Sequence, residues 1–276
     1  MPEPFAEIVR QFDLRAEPDQ LPGGSRPTFR VGHAVLKQVK ETSLETNHSP
    51  QLMQWIADFT PQLGSRGFRL PQPIATVDGR WMTDTGWTAW NFLEGHHATA
   101  ADVPACIDGI IALHRALGEI PKHPLMDDNR TAWGKAHAGC WGTQPAVAQP
   151  QLQPLVQQLY ALRRPVSTSP AQLIHGDLNP WNILIAPGLP PAFLDLSPFW
   201  APPEFALAMF ANWIGPRQGD MAVLSHFAAL PDFWQLIIRA VLRMLLVMAV
   251  IDHLDDWETS TEKRAAELVI QYVAGS

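Results

Sequence analysis

The sequence predicts an α+β chain of two lobes, a small β-rich one followed by a larger helical one, and three observations carry that reading. Short alternating runs separated by turn chemistry fill the first third. Amphipathic helical periodicity takes over after Gly95. One island of strands, residues 173–197, then interrupts the helices and carries the triplet His175-Gly176-Asp177. The lobes so defined are residues 1–95 and 96–276.

The 276 residues, 46% of them hydrophobic, suffice for two lobes that share a cleft. Residues 1–19 carry acids early and lack an apolar run, so they do not read as a signal peptide. The stretch PGGSRPT is turn chemistry. TFRVG (28–32) and AVLKQV (34–39) alternate like the strands of a hairpin, with Gly32 at the bend. Residues 50–60 read as a helix, with Pro50 in its first turn and Leu52, Trp55 and Ile56 on one face. IATVDGRWMT predicts two strands around an Asp78-Gly79 turn, and WTAWNFLEG a further strand ending at Gly95. Residues 101–118 form an amphipathic pattern whose stripe is Val103, Ile107, Ile110, Ile111 and Leu117. Helical patterns return near 150–163, 203–214, 220–229, 232–256 and 260–273, and scattered prolines punctuate them.

Bulk properties narrow the function classes. A net charge of −7 repels phosphate backbones, so nucleic acid is not an expected partner. Cys106 and Cys140 make neither a CxxC pair nor a zinc spacing; two unpaired, buried thiols fit a reducing cytoplasm. The most apolar stretch, residues 236–251, is interrupted by Arg239 and Arg243. What remains is short of the roughly 20 residues a bilayer span needs, so it reads as a core helix and no membrane partner is expected.

The island 173–197 carries the chemistry. Asp177 follows a short apolar strand and sits in a loop from which it can reach a cleft. Asn182 comes five residues later and Asp195 thirteen after that. Ile183–Ile185 and Phe193–Leu196 read as paired strands across a Gly-Pro-containing turn, and antiparallel pairing brings Asn182 and Asp195 to one end. Amide and carboxylate oxygens are hard ligands of the kind magnesium takes, few enough here to leave room for phosphate oxygens and water. Asp177 beside them can accept or orient a hydroxyl proton. Phosphoryl transfer needs an oriented nucleophile and a metal between the phosphates.

HGDLNPWN followed by LDLS resembles the catalytic loop, HGDxxxxN, and the metal-binding Asp of the aminoglycoside phosphotransferase and choline kinase-like branch of the protein-kinase superfamily. The continuation LDLSPFWAPPEFA resembles one sub-branch of it. The resemblance implies a two-lobed protein kinase-like fold whose residues 1–95 bind nucleotide and whose residues 96–276 hold the catalytic loop and the acceptor site. It implies Asp177 as the catalytic base or orienter, Asn182 and Asp195 as Mg2+ ligands, and His175 as a brace for the loop. Lys37 resembles the strand-three lysine that holds the α- and β-phosphates of ATP, with Val35 on the same strand face roofing the adenine. Gly23, Gly24 and Ser25 form a turn whose backbone N–H groups can approach phosphate, although the pattern is not GxGxxG. Phe92 and Leu93, in Phe92-Leu93-Glu94-Gly95, would form the hinge whose backbone meets the adenine edge.

Two departures stand out. Kinases pair the strand-three Lys with a helix Glu, whereas the helix here offers Gln54 and Asp58, and Glu45 precedes Pro50. Ser197 replaces the Gly that follows the metal-binding Asp in protein kinases. The expected activity is an ATP- and Mg-dependent transfer of the γ-phosphate to a hydroxyl of a small molecule, aminoglycoside-, choline- or amino-alcohol-like. Transfer of AMP, a protein acceptor, or a catalytically weak scaffold that binds nucleotide or a partner are the alternatives. Acidic candidates for a cationic acceptor are Asp220, Asp252, Asp255, Asp256 and Glu258, the last beside Trp257; the plainer reading of that cluster is a solvated helix end. Trp181, Trp200 and Trp213 lie near the island in sequence and are either substrate-stacking rings or core.

Overall fold

Alternation decides the first lobe. In the computed structural model, which describes residues 3–22, 27–39, 49–64, 67–127, 131–142, 147, 149–251, 254 and 256–275, helix α1 (Glu3–Gln11) leads into strands β1 (Pro18–Leu21), β2 (Thr28–Val31) and β3 (Ala34–Gln38). Helix α2 (Pro50–Phe59) follows, then β4 (Pro73–Ile74) and β5 (Trp87–Asn91). The strands make one antiparallel sheet in the order β1-β2-β3-β5-β4. Ala34 and Leu36 are fully buried on one face with Val31, Trp87 and Ala89, under Ile8 and Val9 of α1. Val35 and Lys37 therefore point to the other face. The bend predicted at Gly32 is present, with φ at +62°, between Val31 and Ala34, which are paired.

Two sequence expectations fail in this lobe. Residues 3–11 form a helix the sequence does not announce; nine residues are too few to be stable in isolation, and the sheet beneath supplies the partner. The Asp78-Gly79 turn exists, with Gly79 at φ +82°, but no strand follows it. The Thr76 hydroxyl accepts from Arg80 N–H at 2.9 Å, Arg80 Nε donates to Asp78 at 2.8 Å, and a second turn closes from Gly86 N–H to Thr83 O at 3.0 Å. Side-chain bonds replace the ladder there. On α2, capped by Ser49, the predicted face is present: Leu52, Ile56 and Phe59 are buried, and Trp55 packs half-buried against the same core and against the ring of Phe59.

The second lobe begins with β6 (His96–His97) and helices α3 (Val103–Leu117), α4 (Ala132–Trp141) and α5 (Gln153–Leu162). Strands β7 (Gln172–His175), β8 (Ile183–Ala186), β9 (Leu189–Phe193) and β10 (Pro198–Ala201) follow, then α6 (Pro203–Ile214), α7 (Phe233–Ile251) and α8 (Thr261–Ala274). β7 pairs with β10, and β6, β8 and β9 make a separate three-stranded sheet. On α3 the stripe is Val103, Cys106, Ile110, Leu113 and Leu117, whereas Ile111 is 44% exposed, a step of about 100° away from Ile110. Residues 220–229 are not an α-helix but a 3₁₀ segment at Ala222–Phe227, entered through a cap in which Asp220 accepts from Ala222 N–H at 3.0 Å. By length and composition α7 is long and apolar enough to cross a membrane; in the fold it packs against α4 and α6 and buries both its arginines. Cys106 and Cys140 are buried and unpaired, and burial pushes both thiols up to about 12.

Candidate active site

The loop after β7 is held from below by two histidines. Leu173, Ile174 and His175 are fully buried, so the strand delivers the next residues to the cleft in one register. Gly176 has no room for a side chain: a Cβ there would lie 2.6 Å from a ring carbon of Phe199. Its N–H donates to Ser197 O at 2.7 Å, which ties the loop to the turn that carries Asp195. His175 Nδ1 accepts from Asp177 N–H at 3.2 Å, so Nε2 carries the ring hydrogen and donates to Leu194 O at 2.9 Å. His175 N–H in turn donates to His114 Nε2 at 3.2 Å, and His114 Nδ1 donates to Ile110 O at 2.7 Å. One chain of bonds thus runs from α3 to the loop and to the residue before Asp195.

That chain requires neutral imidazoles. Burial lowers His114 from 6.5 to about 4, and lowers His137, under Phe199 and beside Arg243, to about 3. The unfolded chain takes these protons near pH 6.5 while the folded chain refuses them until pH is far lower, so the stability they confer is complete above 6.5 and is lost as pH falls toward 4. The loss is on the order of 3 kcal/mol for His114 alone. Urea unfolding between pH 7 and 5, where most carboxylates stay ionised, should show a markedly smaller pH slope in His114→Gln than in the parent; equal slopes would refute a neutral His114.

Asp177 is gripped by two amides. Asn179 Nδ2 donates to its Oδ1 at 3.2 Å and Asn182 Nδ2 to its Oδ2 at 3.0 Å. Asn179 Oδ1 accepts from Trp181 and Asn182 N–H at 2.9 and 3.2 Å, capping a one-turn 3₁₀ helix, Pro180–Asn182. Asn182 Nδ2 also meets Asp177 O at 2.9 Å, which leaves Asn182 Oδ1 out of every hydrogen bond among the described residues. Pairing of Ile183 with Phe193 and a bond from Leu194 N–H to Asn182 O at 2.8 Å bring Asn182 against the segment that carries Asp195. Asp195 has φ +53°, a left-handed conformation that Asp tolerates better than most residues. Its carboxylate accepts directly from Lys37 Nζ of β3. The Val35/Lys37 face of the first sheet therefore looks onto the 173–197 island.

A hard cation fits this donor set. Among the described residues no group of three or more His, Cys, Asp or Glu is placed to hold a metal. Asn182 Oδ1, with its amide fixed by both Nδ2 bonds, and the Asp195 carboxylate are oxygens with capacity left for an oxygen-seeking ion.

Several expected contacts are not made. Gln54 and Asp58 do not reach Lys37; they sit on the exposed face of α2 and bond each other at 2.7 Å, and Lys37 takes Asp195 instead. Gly23, Gly24, Ser25, Glu45, Asp252 and Asp255 lie outside the described residues. At the hinge, Phe92 N–H donates to His33 O at 2.7 Å, and Glu94 O accepts from both terminal nitrogens of Arg69 at 3.3 Å. Neither backbone group of Leu93 is bonded among the described residues, so Leu93 is the hinge position left open. Asp220 is engaged as a cap, Glu258 pairs with Lys263 at 2.6 Å, and Trp257 is buried. Of the acidic candidates that are described, Asp220 and Glu258 are thus engaged away from Asp177.

The tryptophans divide. Trp181 is 64% exposed, edge-on to His97; Trp200 is half-buried; Trp213 faces a recess beside Asp177, with the Arg217 guanidinium 3.5 Å from its ring. The recess is lined by Asp177, Trp133, Trp213, Met209, Asn212 and Arg243, among others. His114, Asn179, Asn212, Arg69 and Arg243 were not singled out for the site from sequence. Asn179 lies within the HGDxxxxN loop and was open to notice; the others become visible only through packing.

Residues 19–242 match the model of a family described as "Phosphotransferase enzyme family". The chain also resembles solved structures along nearly its whole length. A thermostable mutant of the aminoglycoside phosphotransferase APH(4)-Ia in its apo form gives a TM-score of 0.60 at 17% identity, over 98% of this chain and 99% of that one. The amicoumacin kinase hAmiN, in complex with AMP-PNP, Ca2+ and Ami, gives 0.62 at 15% identity, over 100% and 94%. The choline kinase LicA from Streptococcus pneumoniae gives 0.64 at 12% identity, over 99% of each chain. At such identities the likeness is one of fold. No curated protein matches by sequence.

Proposed function

Because the chain belongs to the phosphotransferase enzyme family, we propose that it transfers the γ-phosphate of ATP, with magnesium, to a hydroxyl group of a small molecule. One observation carries the reading: an amide-gripped carboxylate, Asp177, stands beside a free amide oxygen on Asn182 and a second carboxylate, Asp195, that already holds Lys37. Those are the parts phosphoryl transfer needs, on separate but mutually bonded supports. The nucleotide-bearing kinase of the same fold supports ATP as donor.

Each residue then has a defined task. Lys37 holds nucleotide phosphate and Val35 covers the base, since both share the face turned to the island. Leu93 offers its free backbone groups to the adenine edge. Asn182 and Asp195 would hold magnesium, which when bound neutralises charge between the phosphates. Asp177 accepts the acceptor's hydroxyl proton and aims its oxygen. The acceptor O–Pγ bond forms as the bond from Pγ to the bridging oxygen breaks, and that electron pair leaves on the β-phosphate of ADP. The Asn179 and Asn182 amides fix the carboxylate, so little reorganisation is required during transfer. Two buried, unpaired thiols support the reducing cytoplasm as its setting.

A weak nucleotide-binding scaffold is the second reading, favoured by one observation: no α2 carboxylate meets Lys37 among the described residues. ATP labelled at the γ-phosphate, supplied with magnesium and a panel of hydroxylated metabolites, separates the two. Label on an acceptor with release of ADP is expected. Label arriving from the α-phosphate would indicate AMP transfer, and nucleotide binding without any transfer would leave the scaffold.

A further inference from the structure

The recess beside Asp177 contains a buried cation that makes no ion pair among the described residues. Arg243 of α7 is 4% exposed. Its Nη1 donates to the thioether of Met209 at 3.1 Å, and its guanidinium carbon lies 4.7 and 4.8 Å from the ring centroids of Trp133 and Phe199. Nε is buried without a partner, and Nη2 donates to nothing among the described residues. Nε and Nη2 are the two parallel donors of one side of the guanidinium, the arrangement that takes two oxygens of one oxyanion.

The one carboxylate that acts on it is Asp177, which lines the same recess without forming an ion pair with it, and its other neighbours do not neutralise it. His137 is held neutral and the Cys140 thiol is pushed up to about 12, so neither is charged at neutral pH. Burial lowers Arg243 only to about 10, so it remains a cation. The other buried arginines also leave Nε without a partner, but their terminal nitrogens meet oxygen. Arg217 pairs with Glu262 at 2.6 Å, and Arg239 donates to the carbonyls of Gln235 and Arg164, each at 2.8 Å. Asn212 of α6 repeats the anomaly: it is 2% exposed, its Oδ1 is buried and unpartnered, and its amide makes no hydrogen bond among the described residues. A buried polar group left unmatched is destabilising, and two of them line one recess.

We propose that this recess binds the phosphate acceptor through a carboxylate, with Arg243 taking two oxygens, Asn212 donating to one of them and Trp133, Trp213 and Met209 walling the remainder, so that the acceptor is a small hydroxylated carboxylate. The assignment rests on the phosphotransfer reading, in which Asp177, lining the same recess, meets the hydroxyl. It departs from the cationic amino alcohol that the sequence suggests.

Calorimetric binding to the full chain tests it with matched probes: glycerate against glycerol, 3-hydroxybutyrate against 1,3-butanediol, and serine against ethanolamine. In the parent at least one carboxylate should bind about tenfold or more tightly than its counterpart, the scale of a charge-assisted pair. Arg243→Met should abolish that preference yet melt no lower than the parent without ligand, since an unpaired charge has been replaced by an apolar chain. If that variant does not fold, Arg243→Lys keeps the charge without the fork and should lose most of the preference. No carboxylate preference in the parent, tighter binding of glycerol 3-phosphate than of every carboxylate, or a lower-melting Arg243→Met with the preference intact would each overturn the proposal. Magnesium-dependent binding of AMP-PNP, measured alongside, separates the failures. Its presence without carboxylate preference refutes the acceptor assignment alone; its absence with the preference intact refutes phosphotransfer and keeps the Arg243 site.

Discussion

Asp177→Asn is expected to lower turnover by about a thousandfold, within the range general-base catalysis contributes, and to leave magnesium-dependent nucleotide affinity within a few-fold of the parent. The first effect follows from the hydrogen bonds. Each oxygen of Asp177 takes one amide N–H, from Asn179 and from Asn182. A replacement amide has a single oxygen, so one of those donors faces another donor, and no oxygen of sufficient basicity remains for the acceptor hydroxyl. The second effect follows from connectivity. Lys37 and Asp195 bond each other, and neither bonds the Asp177 side chain among the described residues. Turnover with a verified acceptor and AMP-PNP affinity, measured on the same preparations, check both halves. A variant with parental turnover would remove Asp177 from the chemistry, whatever its effect on binding.

How much of this was legible in the sequence depends on how local each arrangement is. Asp177, Asn182 and Asp195 lie on one short loop and hairpin, so spacing alone brings them together, and the structure bonds Asn182 to Asp177 directly. Lys37 was legible because alternation fixes its strand face, and that face meets Asp195 across 158 residues of sequence. His114 was not, because it bonds a loop 61 residues away and looks in sequence like any polar break in a helical stripe. Helix α4 was also missed: Gly134 and Gly139 lower its intrinsic propensity, and it is held by α7 packing across it. For the acidic cluster that follows α7, the described members fit the plainer reading, a solvated helix end: Glu258 is exposed and pairs with Lys263, while Trp257 turns into the core. Arg243 reads in sequence as a mere interruption of an apolar run; its missing partner appears only once the helices around it are in place.

Asp195→Ala is the second large effect. In the parent, a non-hydrolysable ATP analogue at about a hundred times its dissociation constant, with magnesium, should add about 2.7 kcal/mol of stability, a rise of several degrees in a chain of this size. In the variant the magnesium-dependent part should vanish, since one of the two oxygen donors proposed for the ion is gone and Asn182 alone cannot retain it. The unliganded fold should survive. The Lys37 and Asp195 side chains are 27% and 44% exposed, so the released ammonium is reached by water, and such pairs contribute about 1 kcal/mol or less. The left-handed backbone at Asp195 does impose a cost on alanine, about 1 to 2 kcal/mol. Asp195→Asn isolates the charge from that strain, because Asn tolerates the same φ and keeps the volume. It should melt close to the parent without ligand and still lose the magnesium-dependent rise. If Asp195→Asn kept the full rise, the ion would not bind at Asp195, and the direct bond to Lys37 would be a structural pair joining the lobes.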